Sequence, residues 1–489
     1  MNGRATIPAL AVEGLAVLHG ERALVRDISF TIPAGGVLTL LGESGSGKSL
    51  LAQAIMGNLP APLRCEGRVA IGGEATLAAD QSSRHPGWGR RLALLPQEPW
   101  LALDPTMRVR EQVAETHALV GRMPRAKART LAGRALAALG LGDAAHKYPF
   151  MLSGGMAQRV AFLATHAAGA PLMIIDEPTK GLDADRRGDV LALLRAAQAE
   201  GMSLLCITHD IWLARALGGR LAVMLEGGMI EQGDAAEVLA TPREDYTRRL
   251  LAADPGSWSP MHAAAPAPAP GPDAIVRIEG VGKSFGRQVL FSGVDARIGA
   301  GEIVAVSGPS GSGKTTFGNI VLGLAKPDGG RVQRASGLAP TAFQKIQQDP
   351  GAAFAPRIRL RQSLRDLVDL HRLDWTRLEA LLERMRLAPA LLDRLPHQVS
   401  GGELQRIALA RVLLMKPALI FADEPTSRLD PVTQQDVFAL LLEQVRAARC
   451  ALLLVTHDAE IVRSVAGRRI ELGVRPEAAT EAPRHRTSG

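Results

Sequence analysis

The chain has 489 residues, too long for one ordinary domain and suited to about two to four. Hydrophobic residues make up 46% of it, enough to bury sizeable cores, which excludes a wholly disordered chain. The net charge of +8 fits phosphate-bearing ligands or a generally arginine-rich proteome, but no Lys/Arg block is interleaved with aromatics, so nucleic acid is not an expected partner.

Residues 1–14 lack a charged start followed by a long apolar run and are not expected to be a secretory signal. No apolar run reaches the roughly 18 residues of a membrane-crossing helix. The cysteines Cys65, Cys206 and Cys450 are isolated, with no CxxC spacing. That argues against a disulfide framework or a zinc site and fits a reducing, cytoplasmic setting.

In chain order, short apolar runs come first at 37–41 (VLTLL), 172–175 (LMII) and 204–207 (LLCI). Runs of this kind read as strands buried on both faces. Alanine-rich helical stretches lie between them, which predicts an α/β domain with a mainly parallel sheet over residues 8–252. Residues 253–273 are rich in Ala and Pro and without hydrophobic period, an extended spacer at about 3.1 Å per residue. A second α/β domain is expected over 274–474, with strands at 303–306 (IVAV), 418–421 (ALIF) and 452–455 (LLLV). The polar tail, 475–489, is expected to be disordered.

Four blocks of the first half return in the second in the same order, the mark of a duplication. The first is a phosphate loop, with Gly42, Ser44, Gly45, Gly47, Lys48 and Ser49 in one copy. Gly308, Ser310, Gly311, Gly313, Lys314, Thr315 and Thr316 make the other. Glycines let successive N–H groups turn toward phosphate oxygens, and the helix that follows presents its positive end to them. Lys48 and Lys314 are placed to reach the β- and γ-phosphates of ATP, and the Ser49 and Thr315 hydroxyls to ligate Mg²⁺. Asp176-Glu177 and Asp423-Glu424 each end an apolar run. The Asp is a candidate Mg²⁺ ligand and the Glu a candidate base that polarises the attacking water. His209 and His457 follow a further strand in matching Thr-His-Asp contexts and could orient that water.

The fourth block, Leu152–Gln158 with its partner Ser400–Gln405, makes the resemblance specific. The chain resembles the ATP-binding cassette (ABC) ATPases, in tandem and over nearly its whole length. The resemblance implies two ABC domains, each with a helical subdomain, closing on two ATPs head to tail. Lys48, Gln97, Asp176, Glu177 and His209 would share one nucleotide with Ser400 and Gly402. Lys314, Gln348, Asp423, Glu424 and His457 would share the other with Ser153 and Gly155. Gln97 and Gln348 match the family's glutamine loop, which senses Mg²⁺; Gln344 and Gln347 are competitors, and Gln348 is preferred because Asp-Pro follows it. Phe285 fits the family's adenine-stacking position, where His19 is a departure. Asp183 and Asp430 match the loop that couples the sites.

Segments at Tyr148-Pro149, Leu103–Thr106, Asp349–Arg357 and Pro242–Leu251 resemble the oligopeptide, dipeptide and nickel importer branch. That likeness implies two membrane permease subunits, a solute-binding protein and a place on the cytoplasmic face of the membrane. The second half departs from the branch by ending soon after His457. An energy-coupling-factor importer of vitamins or metals is the nearest alternative. DNA-repair and ribosome-associated cassette ATPases fit less well, since zinc-binding cysteine pairs and a charged helical linker are missing.

Overall fold

A computed structural model describes residues 7–180, 182, 184–259, 274–286, 288–309, 311–426 and 429–473. The expected tail, most of the expected spacer, Asp183 and Ser310 lie outside the described residues. The chain divides into two compact units, one running to Ser257 and the other starting at Trp258.

The first unit contains β1 (Leu10–His19), β2 (Arg22–Ile32), β3 (Val37–Gly42), β4 (Arg64–Ile71) and β5 (Glu74–Leu77). It continues with β6 (Leu92–Leu95), β7 (Leu172–Asp176), β8 (Ser203–Thr208), β9 (Arg220–Leu225) and β10 (Gly228–Asp234). An antiparallel sheet runs β2-β1-β4-β5, and a six-stranded sheet runs β10-β9-β3-β8-β7-β6. All pairs in the larger sheet are parallel except β9 with β10.

The apolar runs are explained by this sheet. Leu172, Ile174, Leu205 and Ile207 point into one core with Leu51 and Ile55 of the helix Lys48–Met56. Their neighbours Met173, Ile175, Leu204 and Cys206 point into a second core with Val160 and Phe162 of the helix Gly154–His166. Successive side chains alternate across the sheet and both faces are covered, so the middle positions of these strands are apolar.

The second unit repeats the plan in shorter form, with β11 (Ala274–Phe285), β12 (Gln288–Gly299), β13 (Ile303–Ser307) and β14 (Gly329–Arg334). β15 (Phe343–Ile346), β16 (Leu419–Asp423), β17 (Ala451–Val455) and β18 (Arg468–Glu471) follow. Its antiparallel sheet is β12-β11-β14, and its core sheet β15-β16-β17-β13-β18 is parallel throughout. Among the described residues it has no counterpart of β5 or β10. The helix Asp245–Ala252, which carries the importer-like Pro242–Leu251 segment, has no counterpart among the described residues of the second unit either. Glu231 holds the entry to that helix by accepting the N–H groups of Arg243 and Glu244. Trp258, within the expected spacer, is buried edge-on against Phe438, 5.8 Å between ring centres, in the second unit's core.

In both units an arginine closes the helix behind the phosphate loop. Arg84 donates to Ala54 O at 3.1 Å, and also to Ala78 O, Leu77 O, Asp80 O and the Thr76 hydroxyl. Arg334 donates to Ile320 O at 2.8 Å and Val321 O at 2.9 Å, in the last turn of the helix Lys314–Leu322. A cation suits a helix C-terminus, where carbonyls lack partners. Arg84 is 5% exposed, so its loss strands several buried acceptors. Arg84→Ala is expected to destabilise the first unit by about 2–4 kcal/mol, read as an earlier transition in denaturant unfolding.

Candidate nucleotide-binding site

Parallel strands bring the separated motifs together. Gly42 ends β3, Asp176 ends β7, and His209 follows β8, which lies between them in the sheet. Because all three run the same way, their C-terminal ends share one edge, where ligands bind in open α/β sheets. Ser307, Asp423 and His457 hold the same places on β13, β16 and β17.

The loop after β3 is tight. Gly47, the residue before the helix, has φ +97°, and a Cβ there would lie 3.0 Å from Val25 Cγ2 and 3.3 Å from Leu24 O. Gly313 repeats this with φ +89° and a would-be Cβ 2.9 Å from Leu290 Cδ1. Only glycine fits such a turn. Lys48, 6% exposed, is folded back into the loop, donating to Gly42 O at 2.9 Å, Glu43 O at 2.7 Å and the Ser46 hydroxyl at 3.2 Å. Lys314 does the same with Gly308 O at 2.8 Å and Pro309 O at 3.0 Å. Burial pushes the Lys48 ammonium pKa down; the charges of Glu177 and Asp176 oppose that shift.

Each strand-end glutamate leaves its strand in the left-handed region, Glu177 at φ +48° and Glu424 at φ +51°. Such a conformation costs about 1–3 kcal/mol in a residue with a side chain. A backbone bond holds each turn: Glu177 N–H donates to Ile207 O at 2.8 Å and Glu424 N–H to Val455 O at 2.9 Å. The turn aims the carboxylate at the histidine. His209 Nδ1 lies 2.8 Å from Glu177 Oε2, while His457 Nε2 lies 3.5 Å from Glu424 Oε1.

The two glutamates therefore differ electrostatically. Burial pushes the Glu177 carboxyl up, but the charge and hydrogen bond of His209 and the charges of Lys48 and Lys180 outweigh it, and the net direction is down. The Glu424 carboxyl is pushed up to about 8 by burial and the charge of Asp423, against Lys314. The partner aspartates are both raised, chiefly by burial.

A divalent cation takes oxygen ligands, and each unit offers a hydroxyl beside a carboxylate. Ser49 hydrogen-bonds to Asp176, whose Oδ1 is buried without a hydrogen-bond partner among the described residues. Thr315 donates to Asp423 Oδ1 at 3.2 Å. These oxygens fit Mg²⁺.

Other expected residues lie at or beyond this edge. Gln97 and Gln348 each stand two residues past the end of an edge strand, β6 and β15. Gln344 lies within β15 and donates to Thr341 O. His19 and Phe285 end β1 and β11 and are exposed, with Lys283 Nζ 5.8 Å from the Phe285 ring centre. Ser44, Gly45 and Gly311 lie within the loops, and Thr316 is in the first turn of its helix. Ser153 and Ser400 cap the helices Gly154–His166 and Gly401–Leu414, with Gly155 and Gly402 in their first turns. No hydrogen bond or ion pair among the described residues joins Ser153 to Lys48, Asp176, Glu177 or His209. Ser400 is held in a capping box with Glu403, a device the first unit lacks because Met156 stands at that position. One residue escaped the sequence reading: Lys345 points at Asp423 from β15, 3.9 Å away. Its signal was a lysine inside a four-residue strand whose counterpart, LALL, is apolar.

A family model described as ABC transporter matches residues 25–180 and 291–427. The chain belongs to the ABC transporter family. It is an ABC-type ATPase, with two ATP-binding domains in tandem. It is 34% identical to the uncharacterized ABC transporter ATP-binding protein YejF of Escherichia coli (strain K12), over 93% of this chain and 92% of that one. It is 32% identical to the glutathione import ATP-binding protein GsiA of Shigella dysenteriae serotype 1 (strain Sd197), over 97% and 88%. Among solved structures it matches RNase-L Inhibitor with a TM-score of 0.63, 20% identity and 94% and 87% of the two chains covered, a likeness of fold alone.

The raised Glu424 gives a pH prediction. A carboxyl with folded pKa near 8 and an ordinary value of 4.5 binds a proton in the folded protein that the unfolded chain has released. Its contribution is full below pH 4.5 and is lost as pH rises through 8. Glu424→Gln cannot ionise. In the nucleotide-free protein its stability relative to wild type should therefore rise between pH 6 and 9, by on the order of a few kcal/mol. Denaturant unfolding across that range checks the sign.

Proposed function

We propose that this chain energises import of a small peptide or related solute, nickel being the other cargo the importer-branch resemblance implies, through separate membrane permease subunits fed by a solute-binding protein. The observation that carries ATP hydrolysis is the cluster at the sheet edge, where Lys48, Asp176, Glu177 and His209 converge from three segments of chain and Lys314, Asp423, Glu424 and His457 repeat them. The import reading rests on the relative named for glutathione import, aligned over 97% of this chain. No helix among the described residues is long and apolar enough to cross a membrane, so permeation falls to other subunits at whose cytoplasmic face this chain would sit.

In this reading the backbone N–H groups of the two phosphate loops cradle the ATP phosphates, and Lys48 and Lys314 leave their loop carbonyls for the β- and γ-phosphates. Phe285 would stack on adenine. Mg²⁺ would be held by Ser49 and Asp176, with Gln97 nearby, and by Thr315 and Asp423, with Gln348 nearby; bound there it neutralises developing phosphate charge. Glu177 and Glu424 polarise the attacking water, and His209 and His457 hold them in place. The helix starts at Ser153–Gly155 and Ser400–Gly402 each complete the other unit's site. Among the described residues Ser153 makes no hydrogen bond or ion pair to Lys48, Asp176, Glu177 or His209, which supports a nucleotide shared between the units; ATP binding would then close them and hydrolysis release them.

Both sites are expected to turn over. Glu177→Gln should lower steady-state ATPase at least about twofold, and Glu177→Gln with Glu424→Gln by roughly a hundredfold. Unchanged turnover in the Glu177→Gln protein would remove the first site from catalysis. In cells, Lys48→Ala with Lys314→Ala should abolish uptake of labelled small peptides while the protein is still made. Retained peptide uptake, or loss of nickel uptake alone, would reject the peptide assignment.

A further inference from the structure

The two units differ at a half-buried position beside the proposed metal-holding aspartate. In the first, Leu94 of β6 pairs with Ile174 of β7, two residues before Asp176. In the second, Lys345 of β15 pairs with Phe421 of β16 in the same register, two residues before Asp423. A lysine thus replaces a leucine in an otherwise matching parallel pair.

The Lys345 side chain is only 13% exposed. Its Nζ lies 5.4 Å from the centre of the Phe421 ring, donates to Asn319 Oδ1 at 3.0 Å and stands 3.9 Å from Asp423 Oδ2. Thr315 occupies the other oxygen of Asp423 at 3.2 Å. Both carboxylate oxygens of Asp423 therefore face a donor. In the first unit Leu94 offers none, and Oδ1 of Asp176 remains buried without a hydrogen-bond partner among the described residues.

We infer that Lys345 is a resident cation that competes with the divalent metal for Asp423, so that the second ATP site holds Mg²⁺ more weakly than the first. The inference rests on the reading of Asp176 and Asp423 as metal holders. A metal arriving at Asp423 must share the carboxylate with an ammonium that also repels it, whereas one arriving at Asp176 meets an unpartnered oxygen. Asn319 and the Phe421 ring face keep the ammonium in place, so it does not simply swing away. At such separations in a partly buried site the repulsion is large enough to weaken metal binding roughly tenfold.

The test uses the full chain with Mn²⁺ as the metal and ADP present, bound Mn²⁺ being read by electron paramagnetic resonance. Asp176→Asn leaves the second site as the metal binder, and Asp423→Asn leaves the first. Mn²⁺ should bind roughly tenfold more weakly in the Asp176→Asn protein than in the Asp423→Asn protein. Adding Lys345→Met to Asp176→Asn should recover most of the difference, and Lys345→Arg should not. Equal affinities in the two single variants, or no tightening with Lys345→Met, would overturn the inference. A full complement of bound Mn²⁺ in the Asp423→Asn protein would instead defeat the assignment of Asp423 as a metal holder. If Lys345→Met fails to fold, the comparison of the two aspartate variants, both of which keep Lys345, still decides.

Discussion

The structure is organised around a buried cation. Lys48 and Lys314 are buried at the end of a sheet whose strands are mainly apolar, where an unpaired ammonium would cost several kcal/mol. Each is held by carbonyl oxygens of its own loop, and those oxygens point inward only because glycines adopt conformations closed to other residues. In the first unit the charges of Glu177 and Asp176 oppose the shift that burial imposes on Lys48. The loop lysines are thus solvated by oxygens of the chain itself. A triphosphate would replace those internal contacts with its own oxygens.

That balance is struck differently in the two units. In the first, His209 lies against Glu177 and draws the carboxyl pKa down. In the second, His457 stands farther off, the Glu424 carboxyl is pushed up to about 8, and Lys345 adds a positive charge beside Asp423. A proton on Glu424 and an ammonium at Asp423 relieve the same problem, two adjacent buried carboxylates with too few cations. In the first unit His209 lies 2.8 Å from the Glu177 carboxylate instead. Equal motifs thus conceal unequal electrostatics.

Much of the fold could be read before the structure. Runs such as LMII and LLLV became buried parallel strands because both faces of the sheet are covered, and that pattern is local in sequence. The motif residues converge because they end neighbouring strands, an adjacency that the order of blocks along the chain does not give. Lys345 was not legible in the same way. Its meaning depends on β15 lying beside β16 in a given register and on Asn319 arriving from a helix, relations that no local pattern carries. The unequal glutamates escaped for the same reason, since the Thr-His-Asp contexts of His209 and His457 match while the distances do not. The packing of Trp258 also depended on a distant partner, Phe438, and so a Pro/Ala-rich segment read as spacer hid a core residue.

The arginines behind the phosphate loops show that a physical requirement can outlast the sequence position that serves it. Ala54 and Ile320 occupy the same step of matching helices, each six residues past the loop lysine, and each carbonyl is capped by a guanidinium. Yet Arg84 comes from a turn after β5, and Arg334 from the end of β14 in a unit with no counterpart of β5 among its described residues. The helix dipole presents a positive end to the anion site and leaves a negative end that must be neutralised in the interior. Where the described residues of the second unit hold no such turn, another arginine reaches the same carbonyl. Identity of motif at the front of the helix and substitution of means at its back follow from one cause: the phosphate end is fixed by the geometry of its ligand, while the far end needs only a positive charge within reach.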